Sequence, residues 1–234
     1  QKEINTICRR SYRNFGITFL EFFCIDRISD TGMRELVKFH PPDLLVNEMS
    51  QNKGVIAVTG HFCSFELLGV SIARTGMPID VVVKAMKNPR VEGLMDVSRE
   101  RTNLGVVKVK DGFGKVTESI KKKRMIALVS DQDGGLKGIK VNFFGRESST
   151  PAGPAVLALR TDAPMVVGFI VREKVGRYRA DVFKISYEDL PESNEEKAKE
   201  ITQRYTAKLE EYIRKYPEQY FWMHKRWKSS GLYN

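Results

Sequence analysis

At 234 residues, 41% of them hydrophobic, the chain is long enough to bury one substantial core. Its formal net charge of +10 predicts an anionic partner: a membrane surface, an acidic carrier protein, a phosphorylated substrate or nucleic acid. No apolar run is long enough to span a membrane (the nearest, Ile17 to Ile25, is broken by Glu21), and three cysteines without C-x-x-C spacing argue for reduced thiols rather than a disulfide frame or zinc site.

In chain order, the first fifty residues read as helical. Tyr12, Phe15, Phe19, Phe22 and Phe23 recur near helical spacing, and Pro41-Pro42-Asp43 opens a further short helix. Flanked by Arg9, Arg10 and Arg13, this aromatic stripe suits a core or docking face, or a helix lying on a membrane. The chain opens at Gln1 rather than methionine, so a trimmed N-terminal anchor is expected as one possibility. From Gly54 onward strands are expected at 55–59, 79–84, 106–109, 125–130, 141–144, 165–171 and 177–185. Helices are expected at 64–74, 89–103, 113–122, 151–161 and 194–216. The alternation predicts an α/β fold, a mixed β-sheet flanked by helices. The expected organisation is a single domain over 1–234, with a helical N-terminal subregion (1–52) ahead of an α/β catalytic core (53–234).

The most informative stretch is Gly60-His61-Phe62-Cys63-Ser64-Phe65-Glu66, on a strand-to-helix turn. On one continuous helix, side chains five apart would point about 140° away from each other. With His61 on the turn, its ring can fold back toward Glu66, which would hold one ring nitrogen as N–H and leave the other to accept a proton. A histidine that merely packs at the junction is the competing reading. Cys63 beside His61 invites a Cys/His nucleophile, but a small buried thiol is the commoner fate of such a residue. Lys84, Arg99 and the acidic turn Ser130-Asp131-Gln132-Asp133-Gly134-Gly135 follow; His61, Lys84 and Asp131 all sit at strand ends, where sites of α/β sheets gather. For Asp131 a turn-capping carboxylate is the alternative role. His224, among Trp222, Lys225 and Trp227, reads as structural or interfacial.

These pieces, with Tyr12-Arg13-Asn14-Phe15-Gly16, Val141-Asn142-Phe143-Phe144-Gly145, Thr150-Pro151-Ala152-Gly153 and the closing Pro217-to-Trp227 segment, resemble the bacterial lipid A biosynthesis acyltransferase family. That family sits within the glycerolipid acyltransferases that carry an H-x-x-x-x-[DE] motif. The resemblance implies His61 as catalytic base, Glu66 as its partner, Arg99 as a helix arginine at the site, and Asp131 as the polar residue of the DQD turn. Cys63-Ser64-Phe65 departs from the Gly-Asn-Trp often found between the histidine and the acid. The implied reaction is acyl transfer from a thioester of acyl carrier protein or coenzyme A to a hydroxyl of a lipid A precursor or another membrane glycolipid. It would take place at the cytoplasmic face of the bacterial inner membrane, with the chain bound peripherally, and without cofactor or metal.

That chemistry needs a base and oxyanion donors, expected from the backbone N–H groups of Phe62, Cys63 and Ser64. Lys84, Arg99, Asp131 and Gln132 would contact substrate, Arg99 with a fork suited to phosphate. Two rivals remain: a thioesterase or esterase on the same site, without a G-x-S-x-G elbow, and a non-catalytic basic binding module. No nucleic-acid-binding signature supports the second, and Gly112-Phe113-Gly114-Lys115 lacks Walker spacing.

Overall fold

The computed structural model describes residues 1–86 and 88–233. Helix α1 (Lys2–Phe22) buries Ser11, Thr18 and Phe22, which fall on one side at helical spacing. Helix α2 (Asp30–Leu36) starts where the Ser29 hydroxyl accepts the Gly32 N–H. Strand β1 (Val37–His40) and helix α3 (Leu44–Ser50) complete the N-terminal region. The core alternates: β2 (Val55–Thr59), α4 (Phe65–Ala73), β3 (Ile79–Val83), α5 (Pro89–Arg101), β4 (Gly105–Lys108), α6 (Gly112–Lys121) and β5 (Met125–Val129). Asn88 caps α5 by accepting the Arg90 N–H, and Pro89 supplies a first helical residue that needs no donor. There follow β6 (Ile139–Phe143), β7 (Arg146–Thr150), α7 (Gly153–Thr161), β8 (Met165–Lys174), β9 (Arg177–Ile185) and α8 (Asn194–Lys215).

Seven strands form one sheet in the order β1-β9-β8-β2-β5-β3-β4, parallel throughout except for the antiparallel β8–β9 pair. The fold is therefore α/β with a mixed sheet, as the alternation predicts. Strands β2, β5 and β8 lie inside the sheet and carry runs such as Val55-Ile56 and Met125-Ile126 that are fully buried, as strands covered on both faces require. Gly54 lets β2 start against α6, because a Cβ there would lie 2.5 Å from the Ile120 carbonyl oxygen.

Two strands depart from expectation. β1 lies inside a stretch that reads as helical, and only its parallel pairing with β9 fixes it. The N-terminal region is thus not purely helical; it adds an edge strand to the core sheet. β7 has the sequence Arg-Glu-Ser-Ser-Thr, with no apolar residue to announce a strand; it pairs with β6 as a separate antiparallel hairpin and buries Ser148, Ser149 and Thr150. Among the described residues no helix is long and apolar enough to cross a membrane.

Candidate active site

Parallel pairing builds the site. β2 and β5 are neighbours in register, Thr59 opposite Val129, so the chain leaves both strands side by side. The Ser130 N–H still donates to the Thr59 carbonyl at 2.9 Å. Two residues beyond each strand end come His61 and Asp131, and the spacing of parallel neighbours, about 4.8 Å, brings them together. The His61 ring meets Asp131 through Nδ1 and Oδ1 at 2.7 Å, and the His61 backbone N–H donates to Oδ2 of the same carboxylate at 2.9 Å. Gly60 permits this approach, since a Cβ there would lie 3.2 Å from the Asp131 Cβ and 3.0 Å from the Leu209 methyl.

The carboxylate on the imidazole is therefore Asp131 and not Glu66, which corrects the pairing expected from the heptapeptide. Glu66, second residue of α4, turns toward α5 instead and accepts from Arg99 Nη2 at 2.5 Å. Arg99 also approaches Asp96 at 3.5 Å, and Lys108 joins Glu92 and Asp96 at 2.7 and 2.9 Å. The β5 terminus delivers a carboxylate to both the ring and the backbone of His61, whereas the Glu66 carboxylate on α4 is taken by Arg99 of α5.

Burial and charge act in opposition on this pair. Burial disfavours the imidazolium, but the Asp131 charge, its hydrogen bond and the more distant Glu66 charge outweigh it and raise the His61 pKa above its ordinary 6.5. Asp131 is almost wholly buried, which by itself would raise its pKa; His61 and the hydrogen bonds it accepts hold it below the usual carboxylate value. With Nδ1 facing a carboxylate, the neutral form of the ring keeps its proton there and leaves the Nε2 lone pair free. The ring is held edge-on to Phe65 (centroids 4.9 Å apart) and near Phe221 (6.0 Å).

One open cleft is lined by His61, Glu66, Lys84, Arg99 and Gln132; Asp131, expected to contact substrate, is instead buried behind the His61 ring and does not line it. Phe65, Glu66, Val82, Val83, Arg99 and Val129 also line a second, apolar chamber between α4 and the sheet, with Gly69, Ile72 and Gly168 deeper in its wall. The Glu66–Arg99 pair thus lines both the cleft and the apolar chamber.

The expected oxyanion donors fare differently. The Phe62 N–H is taken by the Gly60 carbonyl at 2.7 Å and that of Cys63 by the Gln219 carbonyl at 2.6 Å, while Ser64 N–H lies against the Cys63 sulfur. The next N–H groups, at the start of α4, have no carbonyl of their own helix to meet. Burial pushes the Cys63 thiol up to about 11, far from a thiolate nucleophile. His224 accepts the Asp133 N–H at Nε2 (2.9 Å), and Asp133 accepts from Ser229 and Gly135, so these residues shape the turn after Asp131. Among the described residues no group of three or more His, Cys, Asp or Glu could hold a metal ion. Sequence reasoning missed Gln219 to Phe221, whose backbone meets the His61 turn; the aromatic run around Tyr220 and Trp222 was the available signal.

Residues 1–229 match the family described as bacterial lipid A biosynthesis acyltransferases. The chain is 26% identical to the lipid A biosynthesis palmitoleoyltransferase of Escherichia coli K12, over 97% of this chain and 73% of the relative. It is 28% identical to the lipid A biosynthesis lauroyltransferase of the same organism, over 77% and 58% of the two chains. A phosphatidylinositol mannoside acyltransferase of Mycolicibacterium smegmatis is 23% identical over 68% and 54%. With a carboxylate-paired histidine on its cleft and a family match along nearly its whole length, the chain belongs to the bacterial lipid A biosynthesis acyltransferases.

Proposed function

We propose that the protein moves a fatty acyl chain from a thioester of acyl carrier protein or coenzyme A to a hydroxyl of a lipid A precursor or a related membrane glycolipid. The observation that carries this reading is a His61 ring backed by Asp131, on a cleft that shares part of its wall with an apolar chamber. The acceptor hydroxyl would give its proton to His61 Nε2 as its oxygen attacks the thioester carbonyl. Asp131 would stabilise the imidazolium, and the departing thiolate would take the proton back. A positioned base of this kind contributes about 10²–10⁴-fold. Because the acceptor attacks directly, no acyl-enzyme forms and Cys63 takes no part.

The developing oxyanion would be met at the start of α4, whose first-turn N–H groups and dipole favour negative charge. Lys84 and Gln132, on the cleft wall, suit the phosphate or thioester arm of a substrate. Arg99 is already committed to Glu66, so its proposed part is to hold the mouth of the acyl chamber rather than to grip phosphate.

The acceptor would be reached from an anionic membrane surface, with the protein bound peripherally at the cytoplasmic face of the inner membrane. Tyr12, Phe15 and Phe19 are exposed on α1 beside Arg9, Arg10 and Arg13, the composition of a helix that binds an interface. Phe15 packs against Phe221 at 4.9 Å, and Phe221 adjoins His61, so this surface leads to the site.

The test is incubation with mixed acyl-carrier-protein and coenzyme A thioesters plus a bacterial glycolipid extract, read by mass spectrometry. A glycolipid heavier by one acyl group is expected. Free fatty acid as the sole product, with acceptors present, would overturn the reading in favour of a thioesterase.

A further inference from the structure

The turn that carries His61 is tied to a segment about 160 residues later in the chain. On one side of the turn, Phe221 N–H donates to the His61 carbonyl at 3.0 Å; on the other, Cys63 N–H donates to the Gln219 carbonyl at 2.6 Å. Between them Phe62 and Tyr220 form an antiparallel bridge. Cys63 sits at φ +47°, a left-handed conformation that a residue with a Cβ keeps only where its surroundings impose it. The segment Gln219–Phe221 supplies that imposition, so what holds the segment also holds the histidine.

What holds it is the side chain of Gln219. β2 pairs with β8 only along Met165 to Val167, and at Gly60 the chain turns away. Further along, the edge of β8 is taken by an amide: Gln219 Oε1 accepts from the Arg172 N–H at 2.9 Å, and Gln219 Nε2 donates to the Arg172 carbonyl at 3.1 Å. A buried glutamine thus makes the two bonds a neighbouring strand residue would make. From the other side α1 adds Ser11 Oγ donating to the Tyr220 carbonyl at 2.7 Å, and Asn14 at 3.4 Å from the Gln219 carbonyl.

We propose that Gln219 is a positioning residue for acyl transfer: its amide clamp on Arg172 fixes the segment that sets the His61 ring against Asp131. This rests on the reading of His61 as base. Misplacing a catalytic group by about 1 Å costs on the order of 10²-fold in rate.

Gln219→Ala should therefore lower kcat about 10–100-fold while leaving KM for thioester and glycolipid within about twofold. A low-field proton signal is expected of His61 Nδ1–H in the wild type, and in the same variant it should shift or broaden. Val116→Ala, a core truncation in α6 away from the turn, serves as the control for lost stability and should leave that signal in place. Should Gln219→Ala fail to fold, Ser11→Ala removes one bond to the same segment, at the Tyr220 carbonyl, and should lower kcat about 2–5-fold with the same KM pattern. Folded variants with the kcat of the control and an unmoved His61 signal would overturn the proposal. His61→Ala measured alongside separates the two readings: turnover retained there refutes the base, whereas its loss beside a fully active Gln219→Ala refutes only the clamp.

Discussion

Replacing Asp131 with asparagine keeps the shape of the side chain and removes the charge that faces the His61 ring at 2.7 Å. While the ring is neutral, little is lost. As the acceptor proton moves to Nε2 the imidazolium forms, and only then does the carboxylate contribute in full. With charge centres about 4 Å apart and an effective dielectric constant of about 20, the attraction is about 4 kcal/mol. At about 1.36 kcal/mol per decade, that amounts to roughly a 10³-fold fall in kcat. The amide can also present its NH₂ to Nδ1 and select the wrong tautomer, which acts in the same direction. Steady-state transfer from a purified acyl thioester to a glycolipid acceptor, with kcat and KM measured separately and folding checked by thermal melting, provides the assay. KM should change little. A folded Asp131→Asn enzyme with kcat within tenfold of the wild type would refute the role given to this carboxylate.

The raised His61 pKa places the acid limb of the activity profile above 6.5, because the base must be neutral; in Asp131→Asn the limb should move to lower pH. The linked stability has the opposite sense for the two partners. The His61 contribution is complete below 6.5 and lost as pH rises through its raised folded value; that of Asp131 is complete above 3.8 and lost as pH falls through its depressed one. A melting temperature that changed steadily across this window, without a plateau between the two values, would count against the pair. Glu66→Gln should act mainly on the fold: breaking a buried ion pair costs about 3–5 kcal/mol, with the lower end expected because Arg99 keeps Asp96 nearby. An Asp131-sized loss of kcat at unchanged stability would return Glu66 to the histidine. Gly69 and Val81 line the chamber, and Gly69→Val adds bulk there beside Val81, so kcat/KM should fall about tenfold more for the longest accepted donors than for short ones, read by donor competition. Equal losses at every chain length would place the acyl chain elsewhere.

Much of this architecture was readable without coordinates, and its gaps have physical causes. β2 and β9 fall where their apolar patterns put them, Val55–Thr59 and Arg177–Ile185, because strands of this kind announce themselves through burial. β1 and β7 do not, since four residues in a helical neighbourhood and a run of Ser and Thr carry no period; their pairing partners decide them. The site shows the same division. His61, Glu66, Lys84, Arg99 and Gln132 were legible as polar residues at strand ends and on the following helices, and they do line one cleft. Which carboxylate meets the ring was not legible, because it depends on the parallel register of β2 against β5 across seventy residues. Gln219 was invisible for a similar reason: its importance lies in an open strand edge that only the assembled sheet creates.

The most direct test of His61 as the base compares wild type with His61→Ala, both folded by thermal melting, using one acyl-carrier-protein thioester and one lipid A precursor with product quantified by mass spectrometry. The wild type should yield an acceptor heavier by one acyl group, and transfer by His61→Ala should be reduced by at least about 10²-fold. Wild-type turnover by the folded variant would contradict that role.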